Sequence, residues 1–303
     1  LDSTGMFNNE IIFSSEASDA QRFLVISELM YRPSNDNLAE FVELLNISTS
    51  ITLNLENIRF TQGVEFDFTE SAITSLEPGA RVLVVRDFAA FEKAYGLNLP
   101  VAGVFTNGSA LSNGGERIKL EDANNGTILE FTYDDQAPWP TEPDQSGASL
   151  VLNNPQSRPD PSLSDNWRAS VRPGGNPGKS DDAPFQGNPL ADLNGNGEPD
   201  LVDYALGNDL GLEPLHPHFK LEMDAPTGEE TLFVVVPTSL RAEGIEVMPY
   251  FSTDLVEWID GALHLESVSM DPLDEGRALR VWRVKPPLRN QAHLFMRLSI
   301  SER

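Results

Sequence analysis

Short runs in which apolar and polar residues alternate recur along the chain, separated by clusters of Gly, Asn, Asp and Pro, and almost no stretch repeats with a helical period. The pattern predicts an all-β protein. Its clearest hairpin has arms at 117–122 and 127–133, joined by a turn at 123–126. Ile118 and Leu120 are expected to face inward opposite Leu129, Phe131 and Tyr133, leaving Arg117, Lys119, Glu121, Glu130 and Thr132 on the wet face. Residues 41–46, 51–55 and 81–86 read as further strands bounded by turn residues, enough for a sandwich. One helix is predicted over 87–95, with Asp87 as N-cap and Gly96 after its last periodic residue.

From Asn153 the pattern breaks. Pro155, Pro159, Pro161, Pro173, Pro177 and Pro184, with several glycines, exclude regular structure for about thirty residues and mark the end of a domain. Trp167 lies within this strap and is expected to fold back onto the preceding core rather than bind a ligand. Farther on, 219–223, 230–236, 244–251, 263–269, 278–284 and 293–300 read as strands of a second, smaller β-sandwich. The expected layout is a lead-in at 1–21, a first sandwich at 22–180, a linker at 181–214 and a C-terminal β domain at 215–303.

A length of 303 residues leaves room for two separate cores. The 47 acidic against 21 basic residues, a formal charge of −26, would repel nucleic-acid phosphates and anionic lipid while attracting divalent cations. A nucleic-acid partner is therefore not expected. Cysteine is absent, which removes disulfides, thiolate nucleophiles and sulfur-based metal sites. No run approaches the length of a membrane span, the longest apolar block lying at 232–236. The chain opens at Leu1 without an initiator Met or a leader, and we expect it to be the C-terminal part of a larger polypeptide.

With such a charge, the stretch Asp192-Leu193-Asn194-Gly195-Asn196-Gly197-Glu198-Pro199-Asp200-Leu201-Val202-Asp203 stands out as an EF-hand-type loop. Oxygen side chains at loop positions 1, 3 and 5 can converge on one cation, Gly197 at position 6 permits the sharp turn, and position 7 offers its carbonyl. The predicted calcium ligands are thus Asp192, Asn194, Asn196 and Asp203 through side chains, Glu198 through its backbone, and Asp200 directly or through water. Leu201, Val202, Ala205 and Leu206 continue as the stripe of a short helix, closed by Gly207. The competing reading is an Asn/Gly-rich linker whose acids are merely solvated. On the calcium reading the ion is structural and fixes the angle between the sandwiches.

Other candidates for chemistry are thin. His216 and His218 lack a matched third ligand. The pairs Asp134-Asp135 and Asp181-Asp182 read as solvated loop acids. No nucleophile elbow, phosphate-binding glycine loop or catalytic triad is recognisable, so no active site is assigned. Asn46-Ile47-Ser48 and Asn125-Gly126-Thr127 match the glycosylation tripeptide.

Several motifs occur together in order: Leu24-Val25-Ile26-Ser27-Glu28-Leu29-Met30-Tyr31 with Pro33; Glu40-Phe41-Val42-Glu43-Leu44; Leu111-Ser112-Asn113-Gly114-Gly115-Glu116; Tyr133-Asp134-Asp135 running into Pro138-Trp139-Pro140; and Asn166-Trp167 followed by Gly174-Gly175 and Pro177-Gly178. Over residues 22–180 the chain resembles bacterial lamin tail domains. The resemblance implies an immunoglobulin-like sandwich used as an accessory module of secreted or surface proteins. The 192–203 loop resembles a dockerin repeat, but only one copy is present and Pro199 lacks the N–H through which paired loops bridge, so no cohesin partner follows. Tyr250-Phe251-Ser252-Thr253-Asp254-Leu255 with Trp258 resembles a C-terminal module of large secreted bacterial proteins. Three functional readings result. One is a non-catalytic, calcium-stabilised spacer at the bacterial cell surface, partnered by the rest of its polypeptide and an extracellular component. Another is a carbohydrate-binding or adhesive module using exposed aromatics such as Trp139 or Trp258. The third is an enzyme whose first sign would be a pocket holding two carboxylates with opposed pKa shifts.

Overall fold

The computed structural model describes residues 17–34, 36–223, 230–242, 244–274 and 276–302. It is an all-β molecule. In chain order the first half supplies β1 (Leu24–Met30), β2 (Phe41–Asn46), β3 (Leu53–Asn54), β4 (Arg59–Gln62), β5 (Phe66–Asp67), β6 (Ser75–Leu76), β7 (Arg81–Val85), β8 (Val101–Val104), β9 (Glu116–Glu121), β10 (Thr127–Tyr133), β11 (Leu150–Leu152) and β12 (Trp167–Ala169). One sheet runs β12-β11-β1-β2-β7-β8 and the facing sheet β10-β9-β4-β5, with β3 and β6 paired apart. Only β7 and β8 pair in parallel among these strands.

Both faces of the larger sheet are covered. Val42, Leu44, Val82 and Val84 point into the core between the sheets, against Phe60, Ile118, Leu120, Phe131 and Tyr133. Their neighbours Phe41, Leu83 and Val85 turn outward and are buried with Met30. After α1 (Asp19–Phe23), the helix α2 (Phe88–Tyr95) supplies the cover through Phe91 and Tyr95. A strand buried on both faces reads as an apolar run rather than an alternation. The predicted helix is α2: the Asp87 side chain accepts from Ala90 N at 2.8 Å, and Gly96 ends it at φ 93°.

The hairpin pairs as expected, with one correction. A bulge between Thr127 and Leu129 shifts the register of β10, so Ile128 is buried and Leu129 only partly so. The run at 51–55 contracts to the two residues of β3. The strap after Asn153 is also not wholly irregular. Trp167–Ala169 pairs antiparallel with Leu150–Leu152, because the prolines flank this stretch and leave its N–H groups free to join the sheet. Trp167 is fully buried, stacks on Phe131 at 5.3 Å and donates from Nε1 to the Pro161 carbonyl at 2.9 Å.

Beyond α3 (Glu142–Ser146) and α4 (Asp200–Leu206) follow β13 (His218–Met223), β14 (Glu230–Ser239), β15 (Ile245–Ser252), β16 (Ile259–Asp260), β17 (Leu265–Asp274), β18 (Arg277–Val284) and β19 (Phe295–Glu302). They form the sheets β13-β14-β18-β17 and β16-β15-β19, which enclose Val234, Val236, Phe251, Trp282 and Val284. Helix α4 belongs to this second core. Leu206 joins that cluster, while Leu201, Tyr204 and Ala205 are buried with Ile245. The two sandwiches meet where Ala148 and Ala169 cluster with Leu240, Met270 and Ala278. Beside the junction Arg168 of the first sandwich holds Asp181 of the connecting segment at 2.7 Å, and Ala183 N of that segment donates to the Arg241 carbonyl of the second at 3.1 Å. Among the described residues no helix is long and apolar enough to cross a membrane.

Candidate functional site

The 192–203 loop folds around its own side chains. Asp192 accepts through Oδ1 from Asn196 N at 3.1 Å and through Oδ2 from Gly197 N at 3.0 Å. Gly195 and Gly197, at φ 70° and 93°, supply the left-handed turns that bring these amides back. Asn194 Nδ2 donates to Asp203 Oδ2 at 2.8 Å, and Asn196 Nδ2 lies 3.0–3.1 Å from both Asp203 oxygens. Asp192, Asn194, Asn196 and Asp203 are thereby brought together. Asp200 Oδ1 accepts from Leu193 N at 2.9 Å, and Asp200 borders the same hollow as Asn194 and Asp203. Glu198 takes part through its main chain, its N donating to Asn196 Oδ1 at 2.7 Å.

Asp203 is the unusual member. Its residue is 1% exposed, on the first turns of α4, and among the described residues no Lys, Arg or His pairs with it. A carboxylate taken out of water needs compensation, and among the described residues the side chains that provide it are the two carboxamides. Oxygen and nitrogen of each carboxamide exchange places when the group turns over. The donor set of two carboxylates, two carboxamides and the Glu198 carbonyl thus fits a hard cation. Among the described residues no three His, Asp or Glu side chains group closely enough to hold a metal by themselves, so the site depends on its asparagines.

A second constellation escaped sequence reasoning. Glu28 on β1 and Glu43 on β2 are register partners on the outer face of the larger sheet, exposed by only 2% and 1%. A bulge between Ile26 and Glu28 turns the Ser27 hydroxyl to the same side, where it donates to Glu43 Oε1 at 2.6 Å. Arg81 Nε reaches that oxygen at 2.9 Å. Over both acids lies the strap at 173–178: Asn176 N donates to Glu28 Oε1 at 3.0 Å and Gly178 N to Glu43 Oε2 at 2.6 Å. Ser149 Oγ donates to Glu28 Oε1 as well. Burial pushes Glu28 up to about 8, with the Glu43 charge adding to it and the Ser149 and Asn176 bonds opposing. Burial also raises Glu43, against Arg81, Ser27 and Gly178. The two shifts point the same way. The available signal is a single charged residue, a glutamate, inside each of two mostly apolar strands.

The remaining candidates separate clearly. Trp139 and Trp282 are buried, and the half-buried Trp258 carries the Arg297 guanidinium 4.5 Å above one side of its ring. His216 and His218 are exposed; His218 Nδ1 lies 3.1 Å from the His216 carbonyl, and His218 pairs with Val235 in the sheet. Asp181 is no solvated loop acid: it accepts from Arg168 and from Val171 N, both within 2.8 Å. Its partner in the strand explains this, since a buried arginine draws a carboxylate in with it. Asn46 is fully buried and ties the Ile51 and Leu76 carbonyls, each at 2.8 Å, so it cannot accept a glycan in the folded protein.

No curated protein and no solved structure matches the chain. The motif resemblance ran over 22–180; the matched segment is shorter and stops before β11, the strap and the loop. Residues 17–135, which hold β1 to β10, match the family model of the Lamin Tail Domain, an immunoglobulin-like fold.

Proposed function

We propose that this chain is a non-catalytic, calcium-stabilised accessory and spacer region of a larger secreted or cell-surface bacterial protein. The observation that carries the calcium reading is Asp203, a buried carboxylate met by Asn194 and Asn196 rather than by a cation among the described residues. Asp192, Asn194, Asn196 and Asp203 would hold the ion by side chains and Glu198 by its carbonyl, with Asp200 adding its carboxylate directly or through water. The ion supplies the positive charge that Asp203 lacks and so secures α4 in the second core. Its leverage therefore falls on the second sandwich more than on the angle between the two. The lamin tail segment supports an accessory role, in which the first sandwich positions or anchors the polypeptide it belongs to.

The test is a calcium titration by calorimetry with thermal melts, comparing the chelated wild type with an Asp192→Ala, Asp203→Ala double variant. Stoichiometric binding and a calcium-dependent rise in Tm, both lost in the variant, are expected. A wild type that binds no calcium reduces the loop to a polar turn.

A further inference from the structure

We propose that Glu28 and Glu43 hold one proton between them, and that this proton latches the 173–178 strap onto the outer face of the first sandwich.

Among the described residues the two carboxylates face one guanidinium, that of Arg81 on β7, and it contacts Glu43. The other groups facing the pair are the hydroxyls of Ser27 and Ser149, the phenol of Tyr95 on α2 and the carboxylate of Asp181, which is committed to Arg168. One arginine balances one carboxylate. The second, Glu28, is cheapest to bury as the acid, and two ionised carboxylates side by side in a dry site repel.

The strap rests on these two side chains. Each carboxylate receives one strap amide, from Asn176 and from Gly178. Gly175, at φ 71°, lies so close that a Cβ there would overlap Glu28 Oε1 and the Ser149 hydroxyl. When Glu28 gives its proton to solvent, the strap covers two negative charges with one arginine to answer them, and lifting the strap lets water in. Closed strap and bound proton therefore favour each other. Opening becomes easier as pH rises from the ordinary value of 4.5 toward about 8 and changes no further above it. The strap leads within three residues to Asp181, so the latch also governs how firmly the junction is held.

Native-state amide exchange on the full chain tests this. The protection of the Asn176 and Gly178 amides, corrected for intrinsic exchange, is followed from about pH 5 to about pH 9. Protection in the wild type is expected to fall by up to about tenfold per pH unit until about pH 8 and then level off. In Glu28→Gln, which keeps the acceptor without the titration, it should stay high and flat. Wild-type protection independent of pH, or a Glu28→Gln profile that follows the wild type, overturns the latch. Infrared spectroscopy of the wild type alone gives a second reading that needs no variant to fold. The carbonyl band of a protonated carboxylic acid is expected at neutral pH and should vanish in alkali, and its absence at neutral pH also overturns the proposal.

Discussion

The Ser27 hydroxyl and the Arg81 Nε converge on a single oxygen, Oε1 of Glu43, at 2.6 and 2.9 Å. The hydroxyl arrives only because the bulge at Ser27 turns it to the side of Glu28 and Glu43. Replacing Ser27 by Ala removes a donor to a buried charge while leaving Arg81 and Gly178 in place, and should cost about 1–2 kcal/mol. A lower urea midpoint with an unchanged slope is the expected result.

Global stability should carry the sign of the Glu28 shift. The folded state binds this proton more tightly than the unfolded chain, so the contribution is complete below about 4.5 and is lost as pH rises to about 8. On the order of 1 kcal/mol per pH unit is at stake within that window. Urea melts at constant ionic strength should show the decline in the wild type and not in Glu28→Gln.

Two glycines with nearly equal dihedrals separate close approach from backbone strain. Gly175 at φ 71° lies against Glu28 and Ser149, whereas Gly195 at φ 70° has nothing within 4 Å. Gly195→Ala should cost about 1–2 kcal/mol from the left-handed backbone alone. Gly175→Ala should cost clearly more, and it should also lower exchange protection at Asn176.

Calcium removal should weaken one sandwich selectively. Because α4 is buried in the second core, chelation is expected to lower the unfolding transition reported by Trp258 and Trp282 while leaving that of Trp139 and Trp167 in place. At a hundredfold excess of calcium over Kd the stabilisation is about 2.7 kcal/mol. Glu198→Gln should bind calcium as the wild type does, since its part is played by the carbonyl, and Asp192→Asn should bind at least about tenfold more weakly.

Trp167→Ala should be among the most damaging single changes in the first sandwich. It removes the stack on Phe131 at 5.3 Å, the contact with Trp139 at 6.2 Å and the closing element of a sheet edge. A loss of about 3–5 kcal/mol is expected in the same urea melts.

What was legible in the sequence was mostly periodic. The alternation of 117–133 located β9 and β10, and Asp87 with Gly96 located α2, because each depends on neighbours in the chain. The bulge at Ile128 was not legible, since one extra residue leaves the composition of a strand unchanged. Neither was the edge strand at Trp167, whose pairing partner lies beyond a run of prolines. The convergence of Asp192, Asn194, Asn196 and Asp203 could be read from spacing because the loop closes on itself. Glu28 with Glu43, and Arg168 with Asp181, come together through sheet register and strap path, which no local pattern encodes.

The junction between the sandwiches has a mechanical consequence. Asp181 is fastened to the first body through Arg168, and Ala183 to the second through the Arg241 carbonyl and the Tyr204 hydroxyl. Only Asp182 lies between these anchorages. Such a tether has about 7 Å of contour and no slack to reel out. A pull on the two ends of the chain would load the Arg168 and Tyr204 attachments almost at once, so the pair transmits tension like a short stiff link in a chain rather than a spring.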